Sequence, residues 1–485
     1  MRLSKLKDFL FGKSELGMRG AAVIQFAAKY TNICVQLVLT AVLARLISPA
    51  QFGVASIVTV ITAFFVTFSD AGIGAAIIQF DDLTERDFGA LFCFSSVLGA
   101  CLAGTFFLAS GPVAAFYGDP TLASLCRVAS LTLFFATLNM VPNGVMLREK
   151  RFRQVGARLI CSTVFSGVCA VALALAGAGP LAVVLQATIM AASDLALNLH
   201  ARPLREVNPH FSRPLGRVFS YSAFQFGFNA INYFNRSLAN LVIGRALGTT
   251  PLGNYDKAYK LTTYPMTAFS SVVGSVIQPF MARHQDDPDA IFDCFMRVEK
   301  VVSLVAAPVA TVFFCAPAEV VGLMYGPQWA AAVEPFRFLG VSVYFQMLGN
   351  PTGPFFQSLG RTDMLFRQGL VNTCLTVGGL VVGIAMGGLD SVAFWVAAGF
   401  CLQIVPIARL LVGRAFGKPM RSLFAFVPEL GVAVAAALAC RLVAFAIPLS
   451  GLVSLFVKCG VIVLVFAAGY AALGQYRHLK ALIRK

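Results

Sequence analysis

Apolar runs long enough to cross a bilayer recur from one end of this chain to the other, separated only by short polar breaks. A helix needs on the order of 20 residues to span the hydrocarbon core. Inside lipid, every backbone N–H and C=O must be satisfied without water. A chain patterned this way folds as a bundle of membrane-spanning helices. Its charge agrees: 12% of the 485 residues are charged, where soluble domains carry about a quarter. The expected fold is an all-α polytopic membrane protein of about fourteen transmembrane helices, each about 25 residues long. Spans are predicted at 18–46, 52–80, 87–115, 120–146, 153–176, 180–202, 214–246, 252–282, 290–316, 328–359, 363–387, 390–413, 422–446 and 450–474.

Alternate loops differ in charge. One set carries Arg2, Lys5, Lys7, Lys13 and Arg19, then Arg148, Lys150, Arg151 and Arg153, then Arg202, Arg205, Arg213 and Arg217. It continues through Arg361, Arg367, Arg414, Lys418 and Arg421 to Arg477, Lys480, Arg484 and Lys485. The opposite loops, near 47–51, 116–119, 177–179, 247–251, 388–389 and 447–449, contain no Lys or Arg. Cytoplasmic loops are the ones enriched in Lys and Arg, which puts both termini in the cytoplasm. The turn at 81–87, with four acids and only Arg86, follows the pattern weakly.

This arrangement also accounts for the net charge of +16, so no nucleic-acid partner is implied. The twelve cysteines contain no CxxC pair and read as small hydrophobes. With His200, His210, His284 and His478 scattered along the chain, no metal site is expected. Residues 1–17 lack an uninterrupted apolar core; Leu3, Leu6 and Leu10 share a face, as in a short interfacial helix.

The chain resembles itself at a shift of about 200 residues. Arg45 and Gly53 match Arg245 and Gly253, and Phe68, Ser69, Gly74, Ile78 and Gln79 match Phe269, Ser270, Gly274, Ile277 and Gln278. Tyr117, Gly118 and Arg127 match Tyr325, Gly326 and Arg337. The unit is about six helices, an even number, so the halves share an orientation. A pseudo-two-fold axis along the membrane normal would relate them, as in transporters whose substrate site lies between repeats. The expected domains are an interfacial segment 1–17, a first lobe 18–202, a cytoplasmic linker 203–213, a second lobe 214–413, and a final pair of spans with a cytoplasmic tail, 414–485.

Two polar rows occupy matching positions. Gln25, Lys29, Asn32 and Gln36 line one face of the first span, and Gln225, Asn229, Asn232 and Arg236 repeat the spacing in the seventh. Such rows face protein or water rather than lipid. Inter-helix hydrogen bonding would explain them. A water-filled central cavity explains better why both halves keep the row and each adds a cation. Lys257 and Lys260 join Lys29 and Arg236 as candidates for attracting an anionic substrate, and phosphate is the natural anion. Arg45, Arg245, Arg127 and Arg337 map to the outer halves of spans, where snorkelling or gate salt bridges are the competing readings. Asp70, far into its span and followed by Gly72 and Gly74, is the candidate for binding a coupling H⁺ or Na⁺. Pairing with Lys29 or capping a broken helix would serve it equally. Asp194 and the cluster Arg297, Glu299 and Lys300 read as locally paired.

The stretch LARLISPAQFGVASIVTVITAFFVTFSDAGIGAAIIQ, with DLTERD, FYGDP and LREKRFRQ after it, resembles the oligosaccharide flippases of polysaccharide biosynthesis. The run NYFNRSLANLVIGRALGTTPLGNYDKAYKL resembles them too. These belong to the multidrug/oligosaccharidyl-lipid/polysaccharide exporter superfamily, and the likeness covers roughly residues 15–415. It implies alternating-access flipping of an undecaprenyl-pyrophosphate-linked oligosaccharide across the bacterial inner membrane. The partners implied are the polyprenyl-pyrophosphate-linked glycan, the lipid bilayer, and the pathway's polymerase and glycosyltransferases. No cofactor beyond a coupling H⁺ or Na⁺ is expected. Ala239 and Asn240 stand where family members often have an acid, so ion coupling does not carry over by likeness. Competing functions are a lipid II flippase, a drug/cation antiporter, which would want an acidic cavity, and a membrane polymerase or glycosyltransferase. No predicted outer loop exceeds about 15 residues, which leaves an enzyme little room for a donor site.

Overall fold

The computed structural model describes residues 18–69, 73–80, 82–204, 233, 237–283, 287–446 and 451–475. Among these residues all regular structure is helical, and eleven helices are long and apolar enough to cross a membrane. The chain divides into two compact units, Met1–Gly253 and Asn254–Lys485.

The first unit contains α1 (Met18–Leu46), α2 (Pro49–Ser69), α3 (Ile73–Gln79), α4 (Glu85–Tyr117), α5 (Thr121–Arg148), α6 (Phe152–Leu175), α7 (Pro180–Ala201) and α8 (residues 237–246). Most breaks have a local cause. Gly118, at φ 71°, ends α4 in the left-handed conformation that glycine adopts without a Cβ penalty. Thr84 opens the same helix with a capping box: its backbone N–H donates to Asp87 Oδ2 (2.9 Å), while its Oγ1 accepts from the Asp87 N–H (3.4 Å). At the centre, α5 packs against α2, α3, α4 and α7, while α1 lies along α6. Ile73, Ile77, Phe88, Leu91, Met140, Val141 and Val145 form a buried cluster where α3, α4 and α5 meet.

Within this unit the start of α9 (Thr249–Arg283) crosses the start of α2. A methyl group on Gly53 would sit 1.8 Å from the Thr249 carbonyl oxygen, and one on Gly253 2.0 Å from that of Pro49. The glycines matched in the sequence repeat thus each meet the first residue of the other's helix. Only glycine permits the backbones to come so close.

The second unit carries the rest of α9, then α10 (Pro288–Cys315), α11 (Pro317–Tyr325), α12 (Val333–Gly349), α13 (Thr352–Ser358), α14 (Thr362–Met386), α15 (Leu389–Leu402), α16 (Val427–Ala446) and α17 (Gly451–Ala472). Several of the predicted spans are not single helices, among them two in this unit at 328–359 and 390–413. The one predicted over 328–359 is a 3₁₀ turn at Pro327–Ala332, then α12 and α13, parted near Pro351. The one over 390–413 ends in a π-helical stretch, Ile407–Ala415, just beyond Pro406, and proline cannot donate the helical hydrogen bond. A core of Val302, Ala306, Val343, Tyr344, Ala436, Ile462 and Phe466 binds α10 to α12, α16 and α17. Outward residues are apolar as well, Leu108 in the first unit being 78% exposed and Phe445 in the second 92%. Surfaces of this kind are made for lipid, and the protein is a multi-pass membrane protein.

Candidate functional site

Lys29 and Gln36, seven residues apart on α1, lie almost on one line, while Asn32 is set roughly 60° round the helix at 100° per residue. Lys29 is exposed and Gln36 half-buried. Asn32 turns into the seam with α6, where its Oδ1 accepts a 2.7 Å hydrogen bond from Thr163 Oγ1. The seam is tight: a methyl on Gly156 would meet Ala28 at 2.9 Å. So Asn32 fastens two helices and Lys29 stays accessible beside it. The Gln25 side chain and Gln225, Asn229, Asn232, Arg236 and Asp70 lie outside the described residues.

The two lysines of α9 have opposite surroundings. Lys257 is 2% exposed, with Nζ 5.6 Å from the Tyr325 ring centroid and 5.9 Å from that of Trp329. Tyr325 Oη also donates to the Lys257 carbonyl (3.4 Å). A cation enclosed by aromatic faces recovers from their quadrupoles part of what it loses in hydration. Lys260, by contrast, leans outward and pairs with Asp256 one turn earlier at 2.9 Å. The other predicted cations are engaged nearby. Arg127 lies 5.6 Å from the Phe107 ring centroid with Nε 3.4 Å from Ser110 Oγ, and Arg245 lies 5.4 Å from that of Phe116. Arg337 pairs with Glu334 at 3.1 Å, and Arg45 is exposed in the last turn of α1.

Two ionic centres in the first unit escaped the sequence analysis as sites. Arg158 on α6 pairs with Asp194 on α7 at 3.4 Å and donates from Nη1 to Asn143 Oδ1 on α5 at 2.9 Å. A sequence signal existed: Arg158 follows the start of α6, and Asp194 precedes the end of α7, by nearly the same number of residues. In an antiparallel hairpin those positions share a depth.

The second centre is Arg202, just after α7. It donates from Nε to Glu149 (2.9 Å) and from Nη1 and Nη2 to both oxygens of Glu85, the Nη1 bond being 3.0 Å. Glu149 also pairs with Arg151 at 2.6 Å. The hydrogen bonds to Glu85 do most to raise the Arg202 guanidinium above its ordinary pKa, and Glu149 adds to them. The weakly fitting acidic turn is explained: Asp87 serves its own helix cap and Glu85 is neutralised by a basic end.

The model of a family described as "Polysaccharide biosynthesis protein" matches residues 42–334. The chain belongs to that family. It is 26% identical to the teichuronic acid biosynthesis protein TuaB of Bacillus subtilis, over 81% of this chain and 81% of that one. It is 27% identical to the lipopolysaccharide biosynthesis protein WzxC of Escherichia coli, over 76% and 75% of the two chains. To the succinoglycan biosynthesis transport protein ExoT of Rhizobium meliloti it is 24% identical, over 79% and 78%. Among solved structures it resembles the lipid II flippase MurJ in an inward closed conformation, with a TM-score of 0.77 at 10% identity, covering 94% of this chain and 99% of the other. It also resembles a MATE transporter in complex with MaL6, with a TM-score of 0.54 at 17% identity, covering 84% and 97%. The fold is the one these transporters share.

Proposed function

We propose that this protein is a flippase carrying an undecaprenyl-pyrophosphate-linked oligosaccharide repeat unit from the cytoplasmic to the periplasmic leaflet of the bacterial inner membrane. The family match across residues 42–334 carries the reading. The flippase-like fold and the relatives in polysaccharide biosynthesis support it.

About fourteen spans in two six-helix lobes rock around an aqueous cavity, with both termini cytoplasmic and the final pair of helices alongside. The reciprocal approach of Gly53 and Gly253 supports a local two-fold. Lys29, with Gln25, Gln36, Gln225, Asn229, Asn232 and Arg236, lines the cavity. Lys257 and Lys260, less the Asp256 that pairs with Lys260, leave a net positive charge that draws the pyrophosphate while the polyprenyl tail remains in lipid. Arg45, Arg127, Arg245 and Arg337 act toward the outer face as gate or structural cations, and Asp70 is a candidate for ion coupling. The role is transport rather than catalysis, between the glycosyltransferases that build the unit and the polymerase that uses it.

The test is reconstitution with a fluorescent polyprenyl-pyrophosphate glycan and a leaflet-accessibility assay. Wild-type protein should translocate the probe, and Lys29→Glu combined with Arg236→Glu should abolish this while leaving membrane insertion intact. Translocation of lipid II alone would reassign the substrate. Formation of glycosidic bonds by the purified chain would replace a transporter with an enzyme, and undiminished transport by the double variant would remove the cationic cavity.

A further inference from the structure

In the second unit, Glu299 on α10 is 2% exposed and neither carboxyl oxygen has a hydrogen-bond partner. It lies eleven residues after Pro288, roughly 16 Å along the helix at 1.5 Å per residue. The sequence suggested local pairing with its neighbours, but Lys300 points elsewhere.

The ionisable and polar groups around it are already committed. Lys300 Nζ is 2.5 Å from Glu429 Oε1 on α16 and donates to the Ala425 carbonyl at 2.6 Å. On α12, Tyr344 Oη donates to the Phe426 carbonyl (3.1 Å) and shares a 2.8 Å hydrogen bond with Ser303. On α17, Tyr470 Oη donates to the Leu304 carbonyl at 2.9 Å. Tyr344 lies within electrostatic range of both Glu299 and Glu429. The Lys300–Glu429 pair is neutral as a whole, so Glu299 is the surplus acid. A lone carboxylate in such a medium costs so much that the group neutralises instead.

We propose that Glu299 is a proton-binding site: a carboxylic acid in this conformation, which releases its proton when the seam between α10, α12, α16 and α17 admits water. The ligand is the proton itself. The inference stands whichever lipid the protein carries, because its test needs no transported substrate.

The full chain, reconstituted in lipid, should show the infrared carbonyl band of a protonated carboxyl at neutral pH. Incorporating glutamate labelled with ¹³C at the side-chain carboxyl should move that band, which assigns it to a glutamate. Glu299→Gln, nearly isosteric with the neutral acid, should remove it, and Glu429→Gln should leave it in place. No protonated band in the wild type, a band that ignores the glutamate label, or one that survives Glu299→Gln would each overturn the proposal. So would a band seen only when sodium is left out, which would make the site a sodium site. If Glu299→Gln does not fold, Glu299→Asp decides: its band should no longer move with the glutamate label, and one that still moves overturns the proposal.

Discussion

The two units treat buried charge differently. In the first, Arg158 ends on Asp194, and Arg202 is shared between Glu85 and Glu149. In the second, Lys300 meets Glu429 and Lys458 meets Glu319, yet Lys257 is enclosed by rings and Glu299 has no donor. Closed ion pairs are fasteners, costly to break and indifferent to small changes outside. Glu299, with no hydrogen-bond partner, responds when water reaches it, because its protonation depends on that contact. Among the described residues, both units hold fasteners, and Glu299 in the second is the acid whose charge state can change.

The sharpest way to break this contrast is to open the Arg158–Asp194 pair. Asp194→Ala leaves Arg158 buried without its carboxylate, at an expected cost of about 3–5 kcal/mol, read from thermal unfolding in detergent. Joint replacement by Arg158→Met and Asp194→Leu should recover most of that loss. No recovery would mean that the pair is not a simple fastener. Next come the crossing glycines: Gly53→Ala and Gly253→Ala should each cost about 1–3 kcal/mol by overpacking. Markedly unequal costs would end the case for a reciprocal contact. Arg202→Ala should cost less, about 1–2 kcal/mol, because Glu85 and Glu149 keep one side toward water. Arg202→Lys should restore only part, since a single ammonium cannot reproduce the fork. Smallest in stability is Lys257→Met, within about 1 kcal/mol, because a buried charge exchanged for an apolar group of similar volume is often neutral. Its effect should fall on transport instead. Unchanged transport would leave Lys257 a packing residue and narrow the contrast to Glu299.

Much of the helix pattern was readable in advance because lipid permits so few alternatives. The predicted spans at 87–115, 120–146, 153–176 and 180–202 lie within one or two residues of α4 to α7. What stayed hidden was the choice of neighbour. Periodicity placed Asn32 and Lys29 on one broad face, but only the position of α6 decides that Asn32 meets Thr163 while Lys29 does not. Likewise, nothing in the local sequence says that Arg202 will reach back 117 residues to Glu85. The Thr84–Asp87 cap was legible, being a contact of three residues' separation with a known spacing. Lys257 was taken as a cavity cation from its residue type; its aromatic enclosure comes from Tyr325 and Trp329, which arrive two helices later.

The long reach of Arg202 also sets an order of events during synthesis. Glu85 leaves the ribosome 117 residues before the guanidinium that neutralises it. At about 5–20 residues per second, the gap lasts on the order of ten seconds. Throughout it, Glu85 lacks the guanidinium that later binds both its oxygens. The early hairpins can insert in that interval, but the ends that meet at Arg202 cannot be latched until α7 has been made.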